Sequence, residues 1–406
     1  MAGTLLPAST SPSPTEPADP HMRILVLHSS YLSGPVSGEN RVVDDEIRLL
    51  KEGGHDVESW TPSVEGNSGS DLIRIGVGTI WSRRAARRVR DLVEGFKPDV
   101  VHCHNLFPAL SPSVINSVAT SVPTVMTLHN FRLMCLPATF LRDGRVCEDC
   151  LGRIPWRGVA YKCYRGSRPA SLALATSLTF HHAKGTFDRI AVFAAVSPFL
   201  REKYLEGGWP EERVVVKPNF AWDTDVRTGT GDYFLYAGRI SPEKGIATVT
   251  KAWNAIELKL RIVGEGPDKA SLHGTEHKNI VVESSVNPEE VPSLLRGARA
   301  LLLPSECYEG MPRIALEAFA AGVPVIASRI GGLPELIQHG ESGLLATPGD
   351  PGSWVDAVEQ LQDDGLCRKL GLGAREAWRR SFSPDHALTA AEALYHRALV
   401  TPTRSA

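Results

Sequence analysis

Two stretches of this chain combine charge, glycine and spacing in ways that chemistry uses. The first is Leu303–Gly322, LPSECYEGMPRIALEAFAAG. A buried strand runs out into Pro304-Ser305 and a loop, and a helix follows. Pro312 falls in its first turn, where a missing N–H is harmless. The amides of Gly310, Met311 and Arg313 point out of that helix start. With the positive end of the dipole they form an anion site. Glu309 lies in the loop beside it, and Glu317 lies one to two turns into the helix. The first carboxylate reaches the anion site; the second lies deeper and can accept hydrogen bonds from a diol. Solvated helix-start acids are the ordinary alternative for both.

The second stretch is Tyr236–Gly245, YAGRISPEKG. A strand and a glycine turn lead to Arg239, and Ser241-Pro242-Glu243 then opens a helix with Lys244 in its first turn. A cation there opposes the helix dipole unless an anion accompanies it. Arg239 as a fork and Lys244 as a point charge suit a diphosphate. Two solvated surface cations are the alternative.

A third group has metal-ligand character. Cys135, Cys147, Cys150 and Cys163 are spaced Cys-x11-Cys-x2-Cys-x12-Cys within one loop-rich insertion, residues 131–165. Under reducing conditions four such thiols fit a structural zinc better than disulfides. Four free thiols are the alternative, since a zinc ribbon normally carries two Cys-x2-Cys pairs.

These residues need elements to position them, and the hydropathy pattern supplies two sets. Apolar runs at 23–28, 100–102, 124–128, 190–195 and 214–216 alternate with helical stretches at 39–50, 80–96, 112–119 and 170–184. A turn-rich segment at 220–231 follows. The alternation then restarts with strands at 233–237, 259–263, 280–282, 300–303 and 323–327. The helices of this half are expected at 243–254, 288–296, 311–321, 351–361 and 366–379. Near-continuous apolar strands imply parallel sheets covered on both faces. The expectation is therefore α/β, two doubly wound Rossmann-like domains facing across a cleft. The first spans 22–219 and the second 232–383, with a final helix and tail at 384–406. That helix is expected to pack back on the first domain.

Composition narrows the class. Forty-four Lys+Arg against 46 Asp+Glu leave a net charge of −2, without the basic excess of a nucleic-acid binder. No apolar run approaches a membrane span. Seven cysteines are too few for a disulfide-held secreted fold of this length. Residues 1–21 are Pro/Ser/Thr/Ala-rich and lack a secretory pattern, so a disordered tail is expected, with Met22 a candidate start. A cytoplasmic location follows as an expectation. The stretch 80–96 places Trp81, Ala85, Val89, Leu92 and Phe96 on one face and Arg83, Arg84, Arg87 and Arg90 largely on the other. Packing on its own sheet is the reading preferred over peripheral contact with an anionic membrane.

The two glutamates with seven residues between them, Ala321–Ser328 and Ile330-Gly-Gly-Leu-Pro-Glu335 resemble glycosyltransferase family 4. Gly340–Leu345 continues the likeness, as do Gly238-Arg239 with Lys244-Gly245. In the first half it is carried by Gly38-Glu39-Asn40, Gly54–Val57, Lys97–His102, Thr127–Asn130 and Val216–Asn219. The resemblance covers residues 22–380 and implies a GT-B fold. It further implies transfer of a sugar from a nucleotide-sugar, with uridine the expected base, and retention at the anomeric carbon. No metal is implied for that step.

By motif position, Arg239 and Lys244 would hold the diphosphate. Glu309, with the Gly310 and Met311 amides, would contact the donor sugar, and Glu317 would bind the ribose. His129 would lie near the reacting carbon, with Gly38 in the loop under the diphosphate. Lipid-linked glycans and small molecules such as aminocyclitols are both expected acceptors. Phe220-Ala-Trp222 departs from the family's Gly-Val-Asp, which leaves the hinge contacts open. Glu283–Asn287 lacks the glycine usual beside the base. Asp223 and Asp225 form an Asp-x-Asp in the linker and are assigned to turn formation.

Three rivals stand beside this reading. A nicotinamide oxidoreductase draws on Val263-Gly-Glu-Gly266, but Lys269 holds the third glycine position and the first βα turn has no G-x-G-x-x-G. A sugar-nucleotide epimerase keeps the fold and needs no acceptor. A non-catalytic sugar-nucleotide-binding subunit would not need His129, Arg239, Lys244, Glu309 and Glu317 together.

Overall fold

The computed structural model describes residues 21–30, 38–63, 69–272 and 278–402. The N-terminal tail expected as disordered lies outside these residues, apart from His21. Fourteen strands are numbered along the described chain. The first eight are β1 (Arg23–Leu27), β2 (Asp56–Trp60), β3 (Val100–Cys103), β4 (Thr124–Leu128), β5 (Leu141–Arg142), β6 (Arg145–Val146), β7 (Val192–Ala195) and β8 (Val214–Val216). The rest are β9 (Tyr233–Ala237), β10 (Leu260–Val263), β11 (Ile280–Glu283), β12 (Ala298–Leu303), β13 (Val325–Ser328) and β14 (Gly343–Ala346). They build two parallel six-stranded sheets, ordered β2-β1-β3-β4-β7-β8 and β11-β10-β9-β12-β13-β14. A separate antiparallel hairpin, β5-β6, lies in the insertion.

Both sheets bury their side chains on both faces, successive residues turning to opposite cores. In the first, Leu25, Val101, Met126 and Phe193 face one core, which the helices Arg83–Phe96 and Arg168–Ala183 cover. Ile24, Val26, Val100, Val125 and Val192 face the other. That second face is closed by Val43 and Leu50 of the helix Gly38–Glu52 and by Ala391, Leu394 and Tyr395 of the C-terminal helix Pro384–Val400. The last helix of the chain thus completes the first sheet's core. In the second sheet, Phe234, Leu260, Ala300 and Ile326 meet one layer of helices; Leu235, Val263, Leu301 and Val325 meet the other. Such two-sided burial is why these strands read as unbroken apolar runs.

Several local expectations are corrected. The stretch 80–96 is two elements, because Ser82 caps the helix Arg83–Phe96 by accepting from the Ala85 amide. A separate helix, Gly69–Ile80, precedes it. Ala85, Val89 and Leu92 are buried in the first sheet's core, so the apolar face is taken up by packing. Trp81 leaves that face and stacks on His181. The helix expected over 243–254 is a short 3-10 turn, Pro242–Lys244, then a left-handed Gly245, then Ile246–Ala252. Pro312 flanks the helix Arg313–Ala320 instead of sitting inside its first turn. Edge strand β2, with Glu58 and Ser59 in DVESW, lacks the apolar signature, and the four-residue edge strand β14, GLLA, begins on glycine.

Among the described residues no helix is long and apolar enough to cross a membrane.

Candidate active site

In open α/β sheets ligands bind beyond the strand C-termini, where the strand order reverses. In the second sheet that point lies between β9 and β12. β9 runs into Gly238, Arg239 and the Pro242–Lys244 turn; β12 runs into Pro304, Ser305 and the Glu309 loop. The two loops are locked together. A Cβ on Gly245, at φ +66°, would lie 1.9 Å from the Pro304 carbonyl oxygen. The Glu306 amide donates to the Glu243 carbonyl, and Thr248 Oγ1 donates to the Glu306 carboxylate at 2.6 Å. The result is a Lys244 Nζ to Glu309 Oε1 contact of 2.5 Å, with Ser305 Oγ donating to the same oxygen at 2.6 Å. Burial alone would lower the Lys244 ammonium, but the Glu309 carboxylate outweighs it and holds the pKa above the ordinary lysine value. Arg239 is exposed, and no described carboxylate lies within ion-pair distance of its guanidinium.

The Glu309 loop is then pressed onto the first domain. Its far side is held by the Gly332 amide, which donates to the Glu309 carbonyl at 2.8 Å. The fit admits no side chain at Gly332, whose Cβ would fall 2.4 Å from the Gly310 oxygen. On the near side Gly310 approaches the His129 carbonyl, 3.3 Å from where a Cβ would stand. Asn219 Nδ2 donates to the Met311 carbonyl at 3.2 Å, and Glu335 accepts from the Phe199 amide at 2.8 Å. The His129 backbone is thereby set against Gly310, the residue next to Glu309 of the Lys244–Glu309 pair. Among the described residues the Gly310 and Met311 amides have no backbone acceptor, as an anion site requires.

Glu317 has a partner already. Arg313 bridges Glu317 Oε1 at 2.6 Å and Asp45 Oδ2 at 2.7 Å, and Trp222 Nε1 donates to Asp45 Oδ1 at 2.9 Å. Burial raises the Glu317 carboxyl, with Arg313 acting against it. Trp222 and buried Phe220 thus make the hinge contacts that the departure from Gly-Val-Asp left open. Asp223 accepts from the Thr224 amide and pairs with Arg375 at 2.7 Å, while Asp225 lies 3.9 Å from Arg296. Gly38 is the first residue of the helix Gly38–Glu52 and not a loop residue; residues 31–37 lie outside the described part. Glu283 forms a two-pronged pair with Arg261 at 2.7 and 2.8 Å.

Sequence reasoning missed the surroundings of His129. Three adjacent strands, β1, β3 and β4, carry histidine at or just past their C-terminal ends: His28, His102 with His104, and His129. His129 Nε2 lies 2.9 Å from His104 Nδ1, and His104 stacks on His102 at 4.2 Å. His102 is held between the Tyr395 hydroxyl at 2.9 Å and Thr127 Oγ1 at 2.8 Å. Burial lowers His129 to about 3 and pushes His102 and His104 well below the ordinary imidazole value. Lys217 pairs with Glu46 at 2.9 Å beneath them. Burial would raise Glu46, but Lys217 and His104 hold it low. Ligand atoms of Glu46, His102 and His104 come within 4.8 Å of one another. A metal there would compete with the Lys217 ammonium for Glu46. The visible signal was an apolar run closed by histidine, repeated three times in RILVLH, VVHCH and TVMTLH.

The four insertion cysteines converge on one small cavity, which Arg142 and Arg157 also line. The insertion reaches the site through Tyr308, which neighbours Glu309. Its ring packs among Phe131, Phe140 and Phe199, with centroids 6.1, 6.3 and 4.9 Å away.

Comparison with known proteins gives two family matches. Residues 37–219 match the family described as "Glycosyl transferase 4-like domain", and residues 231–364 match "Glycosyl transferases group 1". A D-inositol 3-phosphate glycosyltransferase of Pseudarthrobacter chlorophenolicus is 35% identical over 423 residues, 93% of this chain and 95% of that protein. An N-acetyl-alpha-D-glucosaminyl L-malate synthase of Bacillus anthracis is 34% identical over 159 residues, 38% of this chain. In that match the chain spans about two fifths (41%) of the relative's length. Sucrose-phosphate synthase from Thermosynechococcus elongatus shares the fold with a TM-score of 0.65, at 18% identity over 94% of this chain and all of that one.

Proposed function

The chain belongs to the glycosyl transferases group 1 family and has the two-domain GT-B fold. On that premise we propose that it moves a sugar from a nucleotide-sugar, with uridine the expected base, to an acceptor hydroxyl, with retention at the anomeric carbon. The observation that carries this is the Lys244–Glu309 pair, set at the strand-order reversal of one sheet and pressed by Gly310 against His129 of the other.

In this reading Lys244 and exposed Arg239 face the diphosphate. As the bond from the anomeric carbon to phosphate oxygen breaks, negative charge builds on the leaving group. Fixed cations and the free Gly310 and Met311 amides meet it without reorganising, each such donor being worth roughly 10²–10³ in rate. The cations neutralise the leaving group in place of a metal. Glu309 is engaged by Lys244 and Ser305, so its role is to orient Lys244 and the sugar hydroxyls, not to attack carbon. The acceptor oxygen then forms its bond on the face the phosphate leaves, and its proton passes to the departing phosphate oxygen. His129, held neutral by burial, offers a hydrogen bond there without adding charge.

Relatives of similar coverage differ in the acceptor they are named for: one is a D-inositol 3-phosphate glycosyltransferase, another a glycogen synthase of Mycobacterium tuberculosis. We propose a glycan, lipid-linked or free, or a small polyhydroxylated molecule such as a cyclitol. Thermal unfolding with UDP, GDP, ADP and NAD tests the donor site. A ligand at about 100 times its Kd adds roughly 2.7 kcal/mol. Stabilisation by one sugar-type nucleoside diphosphate, lost in Lys244→Ala, supports the reading. Stabilisation by NAD alone overturns it.

A further inference from the structure

We propose that Cys135, Cys147, Cys150 and Cys163 bind one structural zinc ion, which fixes the 131–165 insertion as a platform under the Glu309 loop. The metal site stands apart from the transfer reading and would exist whatever the donor.

Seven cysteines occur in the chain, and of these the four in the insertion all border one cavity. They come from four separate points: Cys135 after the turn that follows β4, Cys147 after the β5-β6 hairpin, Cys150 in the next turn, and Cys163 past the short helix Trp156–Ala160. Sequence spacing alone does not make them meet; the folded insertion does. The cavity, about 20 Å³, has room for roughly one water-sized sphere, which is the scale of a single ion. No three of its sulfurs lie within 4.8 Å of one another, as the ligand atoms of Glu46, His102 and His104 do. Loading would therefore draw them inward, to the roughly 2.3 Å Zn–S bonds of a tetrahedral site.

The surroundings suit thiolates. The backbone amides of Ala138, Thr139 and Phe140 lie beside the Cys135 sulfur, and that of Gly158 beside Cys150. Amides so placed stabilise metal-bound sulfur once they donate to it. Four thiolates around Zn²⁺ carry a net charge of −2, and the Arg142 and Arg157 guanidiniums border the same cavity. Asp149 holds both arginines in place, at 2.8 and 3.2 Å. Binding would release the four thiol protons to solvent.

The insertion also has a need for a fastener. Ala138, Phe140, Asp143, Lys162 and Arg165 all adopt positive φ between +47° and +68°. Each is a left-handed backbone conformation that L side chains disfavour. The only regular structure across 131–165 is a two-residue-per-strand hairpin and a five-residue helix. What the platform supports is specific: Phe131 and Phe140 flank Tyr308, and Glu148 pairs with Lys203 at 2.9 Å beside the Tyr308 ring.

The test is metal analysis of the full purified chain, expressed with zinc and washed with a weak chelator. One zinc per chain is expected. Cys150→Ser and Cys163→Ser are each expected to lose it, while Cys367→Ala, outside the insertion, keeps it. As a check independent of variants, Co²⁺ loaded into the metal-stripped wild type is expected to show thiolate-to-cobalt charge-transfer and tetrahedral d–d bands. A metal-free chain that takes up no Co²⁺ overturns the proposal. So does a zinc-free chain with fewer than seven reactive thiols after unfolding without reductant, which would mean disulfides instead.

Discussion

His104 Nδ1 and His129 Nε2 lie 2.9 Å apart, their rings stacked at 5.2 Å, and neither ring takes a proton at neutral pH. Desolvation is the main cause in both. His129 therefore ends the stack as a neutral ring, and its backbone carbonyl faces Gly310 of the Glu309 loop. A charged imidazole there would add to the Lys217 charge already present.

Acid lability follows from the same burial. Below about pH 6.5 the unfolded chain takes up protons that native His102, His104 and His129 refuse, so stability falls as pH drops. For His129 the loss continues to about pH 3. Each refused proton contributes a slope of about 1.4 kcal/mol per pH unit. Glu39 works in the opposite sense. Burial raises it to about 7, so the native state keeps a proton between its ordinary value and 7, and acidification there stabilises. Urea unfolding at pH 6 and pH 5 is expected to show a shallower pH slope in His104→Gln and a steeper one in Glu39→Gln. Unchanged slopes in both variants would contradict the burial argument.

Lys244→Ala is expected to reduce kcat/KM for sugar transfer by roughly 10²–10³-fold, the loss typical of one preorganised charge at a developing anion. Lys244→Arg should recover little, because the 2.5 Å contact with Glu309 suits a compact ammonium and not a planar fork. Steady-state kinetics with saturating acceptor separates the kcat effect from donor affinity. Full activity in the alanine variant removes Lys244 from the mechanism.

Gly245→Ala is expected to destabilise the fold by at least about 1–3 kcal/mol. The added Cβ would meet the Pro304 oxygen at 1.9 Å, in a left-handed backbone that alanine disfavours. Relief requires the Lys244 turn to lift from the end of β12, so donor affinity should fall as well. Denaturant midpoints and nucleotide binding, measured on the same preparation, check both halves. A stable variant that binds nucleotide normally would show that the turn can shift freely.

Arg313→Met leaves Asp45 and Glu317 facing each other without their shared cation. The cost is expected near 3 kcal/mol, the low end for a broken buried pair, because all three groups retain slight solvent contact. Asp45→Asn in the same background should restore part of it, since it removes one of the stranded charges. A double-mutant cycle with no coupling would mean that the bridge between the domains carries no stability.

Much of this molecule was legible along the chain. Strand periodicity placed both parallel sheets, since two-sided burial forces near-continuous apolar runs at β1, β3, β4, β9, β10 and β12. The spacing of Glu309 and Glu317, and of Arg239 and Lys244, marked residues that the fold carries in the segments following β9 and β12. Elements with mixed patterns were not legible: edge strand β2 is half exposed, and Ser82 splits a stretch whose helical periodicity runs on through Trp81. Pairings across the two domains were also hidden, because they join residues remote in sequence. Nothing local says that Arg313 will bridge Asp45 to Glu317, or that Tyr395 will reach back to His102. Nor does spacing bring Cys135 to Cys163 around one cavity. Residue type and periodicity act over a few positions and suffice to choose strand, helix and candidate chemistry. Which charges end up paired, buried or free depends on desolvation and contact, and those exist only once the chain has packed.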